Sequence, residues 1–333
     1  MQRGRSRILY VSETINACAW YRSITPGKAL ADHGHHVRVE ERLTSELVEW
    51  ADLIVLQRVH DPNVASAIGH CKARGKLTIY ELDDDLWNVH RDSGAHTFYS
   101  TPEVLKATED GIRAADRVTT TTDHLAVRLR TLNRNVYVLP NMLPDAYWAY
   151  DQPVVQSSDL ITIGWAGTNT HLPDLKLLGG VIEQLLDRYP NVEFRWAGMR
   201  EIPFRHHERM RPLSTVLLEE YPDLLGSFHI GLAPVVDSVF NRSKSDLKFV
   251  EYAGRGIPVI ASRTEAYQAT LQHGVTGFLA KNPKDWLQFL TRLIEDVDLR
   301  TTMGRNAMEY ARTRMISRNI GLWERAYGLD ELS

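Results

Sequence analysis

The sequence has 333 residues, 43% of them hydrophobic and 24% charged, which suits about two folded domains and excludes a disordered chain, a fibre or a disulfide-stapled miniprotein. With 39 Lys+Arg against 42 Asp+Glu, the formal charge of −3 provides no global field that would draw the chain to nucleic acid. The cysteines, Cys18 and Cys71, fit neither a disulfide framework nor a Cys-ligated zinc site and point to a reducing cytoplasm. The opening MQRGRSRILYVSE is basic but lacks the apolar stretch of a secretory signal. No window nears the roughly 18 apolar residues of a membrane span, although peripheral membrane contact stays open. Runs rich in β-branched and aromatic residues predict strands at Ile8–Val11, His36–Glu40, Leu53–Leu56, Leu77–Glu81, Val118–Thr121 and Val136–Leu139. A second set follows at Ile161–Gly164, Val192–Ala197, His229–Ala233 and Pro258–Ala261. Amphipathic segments lie between them, among them Pro26–His33, Asn63–Arg74, Leu172–Tyr189 and Lys284–Asp296. This alternation predicts an α/β protein with parallel sheets wrapped by helices.

The strand spacing breaks once, at PNMLPDAYWAYDQPVVQSSDL, where prolines and a serine pair interrupt any helical period. That stretch reads as the connector between two doubly wound domains, about 1–145 and 160–310. The last segment, from Arg300 to Leu329, reads as helical. No repeat or low-complexity tract is visible.

Ligands of open α/β sheets bind beyond the carboxyl ends of strands, and the richest such junction is APVVDSVFNRSKSDLKFVEYAGRGIPVIAS. A helix beginning near Ser243 would place Lys244, Lys248 and Glu251 within a strip about 60° wide at about 100° per residue. Leu247, Val250 and Gly254 would then face the sheet. Two ammonium groups near a helix N-terminus suit a diphosphate, and a carboxylate one turn on suits vicinal ribose hydroxyls. A solvated face with an i, i+4 charge pattern is the plainer alternative.

The stretch from Phe240 to Ser262 resembles the donor-site helix of retaining glycosyltransferases of the GT-B fold, the "glycosyl transferases group 1" superfamily. In that family a Glu-x7-Glu element precedes a GxPV strand; Glu251 matches the second glutamate, GIPVIAS matches the strand, and Ser243 stands in place of the first glutamate. Asn241 or Asp237 could substitute for it. ALADHGHHV, IGWAGTNTHLPDL, HGVTGFLA (read as a short hairpin) and LPNMLPDAYW resemble further family segments in the expected order. The resemblance implies two Rossmann-like domains facing a cleft, with a C-terminal helix, 311–333, crossing back onto the first. It implies a retaining hexosyltransferase-type enzyme that uses a nucleotide-sugar, UDP- or GDP-linked, as co-substrate, with no further cofactor and no metal. The acceptor (glycan, lipid-linked, protein or small molecule) stays open. Gly167, Thr168, Asn169, Asn241, Lys244, Lys248 and Glu251 are expected to bind the donor. Arg22, Asp83 and His171 are expected on the acceptor or sugar side, and Asp83, Lys244 and Lys248 to take part in catalysis. A nucleotide-sugar 2-epimerase of the same fold and a non-catalytic nucleotide-sugar binding module are the alternatives.

The acidic run YELDDDLW follows an apolar strand, where a metal site, a phosphatase nucleophile or a helix-capping cluster are all readable. Trp87 stands where the phosphatase pattern places Thr or Ser. Neither HGHH at 33–36 nor HH at 206–207 has partners at zinc-ligand spacing, and MREIPFRHHERMRP reads as a solvated, arginine-rich loop, with contact to an anionic acceptor or a membrane surface as the alternative. GxSxG and GxxxxGK[ST] patterns are absent from the sequence.

Overall fold

LIVLQ, residues 53–57, is buried along its whole length, as a central strand covered on both faces must be. It lies in one of two parallel six-stranded sheets. The computed structural model describes residues 5–329 apart from Asp92, Ser157 and Ser158. The start of the basic N-terminus, the serine pair of the expected connector and the last four residues of the expected C-terminal helix lie outside the described residues.

The first sheet contains β1 (Arg7–Ser12), β2 (His36–Glu40), β3 (Leu53–Gln57), β4 (Leu77–Glu81), β5 (Arg117–Thr120) and β6 (Val136–Val138), in the order β2-β1-β3-β4-β5-β6. The second contains β7 (Ile161–Ala166), β8 (Val192–Ala197), β9 (Met210–Leu213), β10 (Ile230–Ala233), β11 (Val259–Ser262) and β12 (Gly277–Ala280), in the order β12-β11-β10-β7-β8-β9. Strand order reverses between β1 and β3 and between β7 and β10, the positions where doubly wound sheets open a ligand crevice.

Every strand expected from sequence forms, with small shifts at the ends; β9 and β12 are additional. Both are edge strands. MRPL at β9 carries Pro212, which an edge tolerates because it needs only one set of ladder hydrogen bonds, and it lies inside the expected solvated loop. Two of the arginines around it are anchored: the Arg209 guanidinium donates to the carbonyls of Tyr189 and Val192, and Arg205 pairs with Asp187 at 3.1 Å. GFLA at β12 pairs in parallel with β11, so HGVTGFLA is a bridge leading into a strand and not a hairpin. The expected helical segment Leu172–Tyr189 is divided, because Gly179 and Gly180 take positive φ values of 32° and 75° before the helix Val181–Arg188.

The C-terminal stretch forms two helices, Val297–Arg312 and Ile316–Tyr327. The first packs on the helix Leu247–Gly254 of the second sheet. The second returns to the first sheet, where Ile320, Trp323 and Tyr327 join Ile8, Tyr10 and Leu30 in one apolar cluster. The Tyr10 hydroxyl meets that of Tyr327 at 3.1 Å there. No helix of the described residues is long and apolar enough to cross a membrane.

Candidate functional site

Both strand-order reversals open onto one cleft of about 610 Å³ between the sheets. On the first-sheet wall, Cys18 follows β1, Arg58 follows β3, and Asp83 and Asp84 follow β4; on the opposite wall stand Gly167, Thr168, His171, Asn241, Lys244, Lys248 and Glu251. Asn169 is exposed and is not among the lining residues.

The donor-side helix differs from the sequence expectation. It runs Leu247–Gly254, so Lys244 is not on it but in the turn after the short helix Val239–Arg242. The break follows from local bonding. Ser238 caps the short helix through the Asn241 N–H, and the N–H groups of Ser243 and Lys244 bond three residues back to close it. Asp246 then opens the longer helix while its carboxylate grips Arg314 at 2.6 and 3.1 Å. The sheet-facing strip also differs: Leu247 lines the cleft, Tyr252 meets Gly231 of β10, and Gly254 lies against Trp148 and Leu143. Lys244 nonetheless reaches the cleft, with Nζ 3.8 Å from Asp84 across it.

Lys248 and Glu251 share the inner face of that helix. Lys248 Nζ donates to the Ala166 carbonyl at the end of β7 and lies beneath Gly167. Burial lowers its pKa, with Glu251 opposing and Lys244 adding to the shift. Glu251 accepts a 2.7 Å hydrogen bond from the Tyr21 hydroxyl of the first domain. Burial pushes its carboxyl up to about 7, and Lys248 and Tyr21 offset this only in part. The protonated form therefore favours the fold below the ordinary value of 4.5, an advantage lost as pH rises through about 7. Glu251→Gln keeps the acceptor for Tyr21 without the charge. Its Tm should rise relative to wild type between pH 5 and pH 8, and a gap that stays constant or narrows would contradict the assignment.

Gly198 supports the loop after β7. Its φ of +84° suits glycine, and a Cβ there would lie 2.2 Å from the Gly167 carbonyl oxygen. Gly198→Ala should displace Gly167, destabilise the chain by about 1–3 kcal/mol and weaken ligands of this wall. An unchanged Kd for such a ligand would show that the loop does not contribute.

The opposite wall carries a cation that the sequence reading missed. Arg58 has a φ of 52°, the one non-glycine at positive φ among the described residues. Its Nη1 lies 3.1 Å from Cys18 Sγ, 3.3 Å from Asp83 and 3.6 Å from Asp84, and Nη2 donates to the Tyr99 hydroxyl. Burial raises the Asp84 carboxyl, but Lys244, Arg58 and His171 outweigh it and hold Asp84 below its ordinary value. The ligand atoms of Cys18, Asp83 and Asp84 lie within 4.8 Å of one another. The guanidinium already stands among them, however, and burial followed by Asp83 pushes the Cys18 thiol up, away from the thiolate a metal needs. The third aspartate, Asp85, turns inward and binds the Asn88 amide at 2.8 Å.

Arg22, expected to hold phosphate or acceptor hydroxyls, lines the cleft as part of its floor. It is buried on a π-helical turn, Trp20–Ile24, and makes four hydrogen bonds, to both oxygens of Glu81, the Leu139 carbonyl and Asn141 Oδ1. The suggested replacements for the missing glutamate are also otherwise engaged. Asp237 is exposed and paired with Arg242, and the Asn241 amide donates to Asp174 and the Val236 carbonyl. Arg58 was detectable in principle as the residue just past a strand at a reversal. Tyr21 and Asp174 become visible only once the two domains and the short helix Leu172–Leu175 are in place.

Two Rossmann-like sheets facing a cleft, with the last helix returned to the first, define the GT-B architecture. Residues 180–319 match the family model described as "Glycosyl transferase-like". The chain is 32% identical over 102 residues to D-inositol 3-phosphate glycosyltransferase of Corynebacterium kroppenstedtii, a stretch covering 30% of this chain and only 22% of that protein. Among solved structures, sucrose-phosphate synthase (tll1590) from Thermosynechococcus elongatus superposes with a TM-score of 0.67 at 15% identity, over 99% of this chain and 100% of that one. Anabaena Alr3699/HepE in complex with UDP-glucose gives 0.64 at 15% identity, over 97% and 100%. At such identities the structural likeness speaks for the fold alone. The likeness to a glycosyltransferase family rests on the match over residues 180–319.

Proposed function

We propose that the protein transfers a sugar from a nucleotide-diphosphate sugar, UDP- or GDP-linked, to a hydroxyl-bearing acceptor with retention of configuration. The observation that carries this reading is the placement of Lys244, Lys248 and Glu251 on one wall of an interdomain cleft, opposite Asp83, Asp84 and Arg58. Glu251 would accept hydrogen bonds from the ribose after Tyr21 yields its place. Lys244 and Lys248 would face the diphosphate. As the bond between sugar and phosphate breaks, negative charge grows on the departing oxygen, and fixed ammonium groups stabilise it more than they stabilise the ground state. Asp83 would lie near the transferred sugar on the first-domain side, where domain closure excludes water. With Arg58 and the lysines supplying positive charge, activity should survive a chelator; loss on EDTA and recovery with Mn²⁺ would overturn the metal-free reading.

A thermal-shift panel of nucleoside diphosphates and their sugars tests the donor class, because a ligand that binds only the folded state raises Tm. Product analysis with and without acceptor then separates transfer from epimerisation, and the anomeric signals of the product report retention or inversion. No shift with any nucleoside diphosphate would sink the proposal.

A further inference from the structure

His171 and Asp174 form a pair whose hydrogen bonding fixes what the imidazole can offer. Asp174 is 3% exposed. Its Oδ1 accepts from the Val236 N–H at 2.8 Å and from the Asn241 amide at 3.3 Å, and its Oδ2 lies 2.7 Å from His171 Nδ1. An ionised carboxylate only accepts, so the ring proton resides on Nδ1 and Nε2 carries a lone pair. His171 lines the cleft, edge-on to Trp165, and among the described residues its Nε2 has no hydrogen-bond partner. Burial holds the ring neutral, its pKa lowered to about 4 with Lys248 and Lys244 contributing, against the pull of Asp174.

A neutral acceptor cannot bind an ionised diphosphate, whose oxygens also only accept. Its partner must therefore donate a proton, as a hydroxyl does. Glu251, which faces Tyr21, supplies the acceptor for the ribose. His171 instead lines the cleft together with Asp84 of the opposite wall. Of the residues near the missing glutamate's place, Ser243 is buried, and the Asn241 amide and Asp237 are bonded within their own wall. We propose that His171 Nε2 accepts a hydrogen bond from a hydroxyl of the transferred sugar, with Asp174 as the positioning residue that sets its tautomer. This inference rests on the nucleotide-sugar reading above and names a contact within it.

The test is calorimetric titration of UDP, UDP-glucose, GDP and GDP-mannose into wild type, His171→Ala, His171→Gln and Asp174→Asn. Losing one neutral hydrogen bond should raise the ratio of sugar-nucleotide Kd to nucleotide Kd roughly tenfold in His171→Ala, with the nucleotide Kd unchanged. His171→Gln, which can return an oxygen acceptor near the Nε2 position, should restore most of the ratio. Asp174→Asn keeps the Val236 and Asn241 bonds through its oxygen but donates to Nδ1, moving the proton to Nε2 and reversing its polarity; it should resemble His171→Ala. Equal loss of bare nucleotide would identify a phosphate or base contact and overturn the proposal, as would an unchanged ratio. A wild type that binds neither nucleotide would overturn the transferase reading together with this one.

Discussion

Lys248→Ala should lower donor turnover by roughly 10²-fold or more, the scale seen when a transition-state electrostatic contact is removed. Lys248 Nζ commits one donor to the Ala166 carbonyl beneath the Gly167 loop, leaving the ammonium's other hydrogens for the cleft. The carbonyl bond orients the charge, and partial burial strengthens its field at the diphosphate. Lys244→Ala is the companion variant, since Lys244 lies in a turn and its removal leaves the helix Leu247–Gly254 intact. Both should reduce turnover more than nucleotide affinity, because the leaving group gains charge only as the bond breaks. Steady-state kinetics with one donor, checked against the Tm of each variant, will decide. Unchanged turnover in both would remove the diphosphate role from this wall.

The largest loss of stability is expected for Glu81→Ala. Glu81 binds the Arg22 guanidinium through both oxygens, at 2.8 and 3.1 Å, and both side chains are 1% exposed. Removing the carboxylate leaves a buried guanidinium uncompensated, a change that costs about 3–5 kcal/mol, against a total stability of about 5–15 kcal/mol. The damage should extend beyond β4, because Arg22 also holds Leu139 and Asn141 at the end of β6. Asn141 in turn donates to Ser245 on the donor wall. Differential scanning calorimetry should show a fall in Tm of roughly 4–7 °C. A variant melting with wild type would mean that the ion pair carries no net stability.

The sequence reveals the fold well where periodicity is strong. LIVL, LTIYE and VEFRWA are unmistakable because buried parallel strands read as apolar runs. The edge strands MRPL and GFLA escape because one contains proline and the other follows a turn-like Gly-Val-Thr. The donor wall is legible in part: Lys248 and Glu251 lie on one face, whereas Lys244 is displaced by a helix break set by Ser238 and Asp246, whose bonding is long-range as well as local. Arg22 shows the limit most clearly. Its position beyond β1 suggests a ligand contact, but its partners Glu81, Leu139 and Asn141 lie far along the chain, and only folding reveals that they take four of its donors.

The most direct test of the donor wall is calorimetric titration of UDP and GDP into wild type and into the Lys244→Ala/Lys248→Ala double variant. Wild type should bind one of them with 1:1 stoichiometry, and the double variant, having lost two charge-assisted contacts, should bind it roughly 10²-fold more weakly. Absence of binding to either nucleotide, or equal affinity in the double variant, would contradict a nucleoside-diphosphate site at Lys244, Lys248 and Glu251.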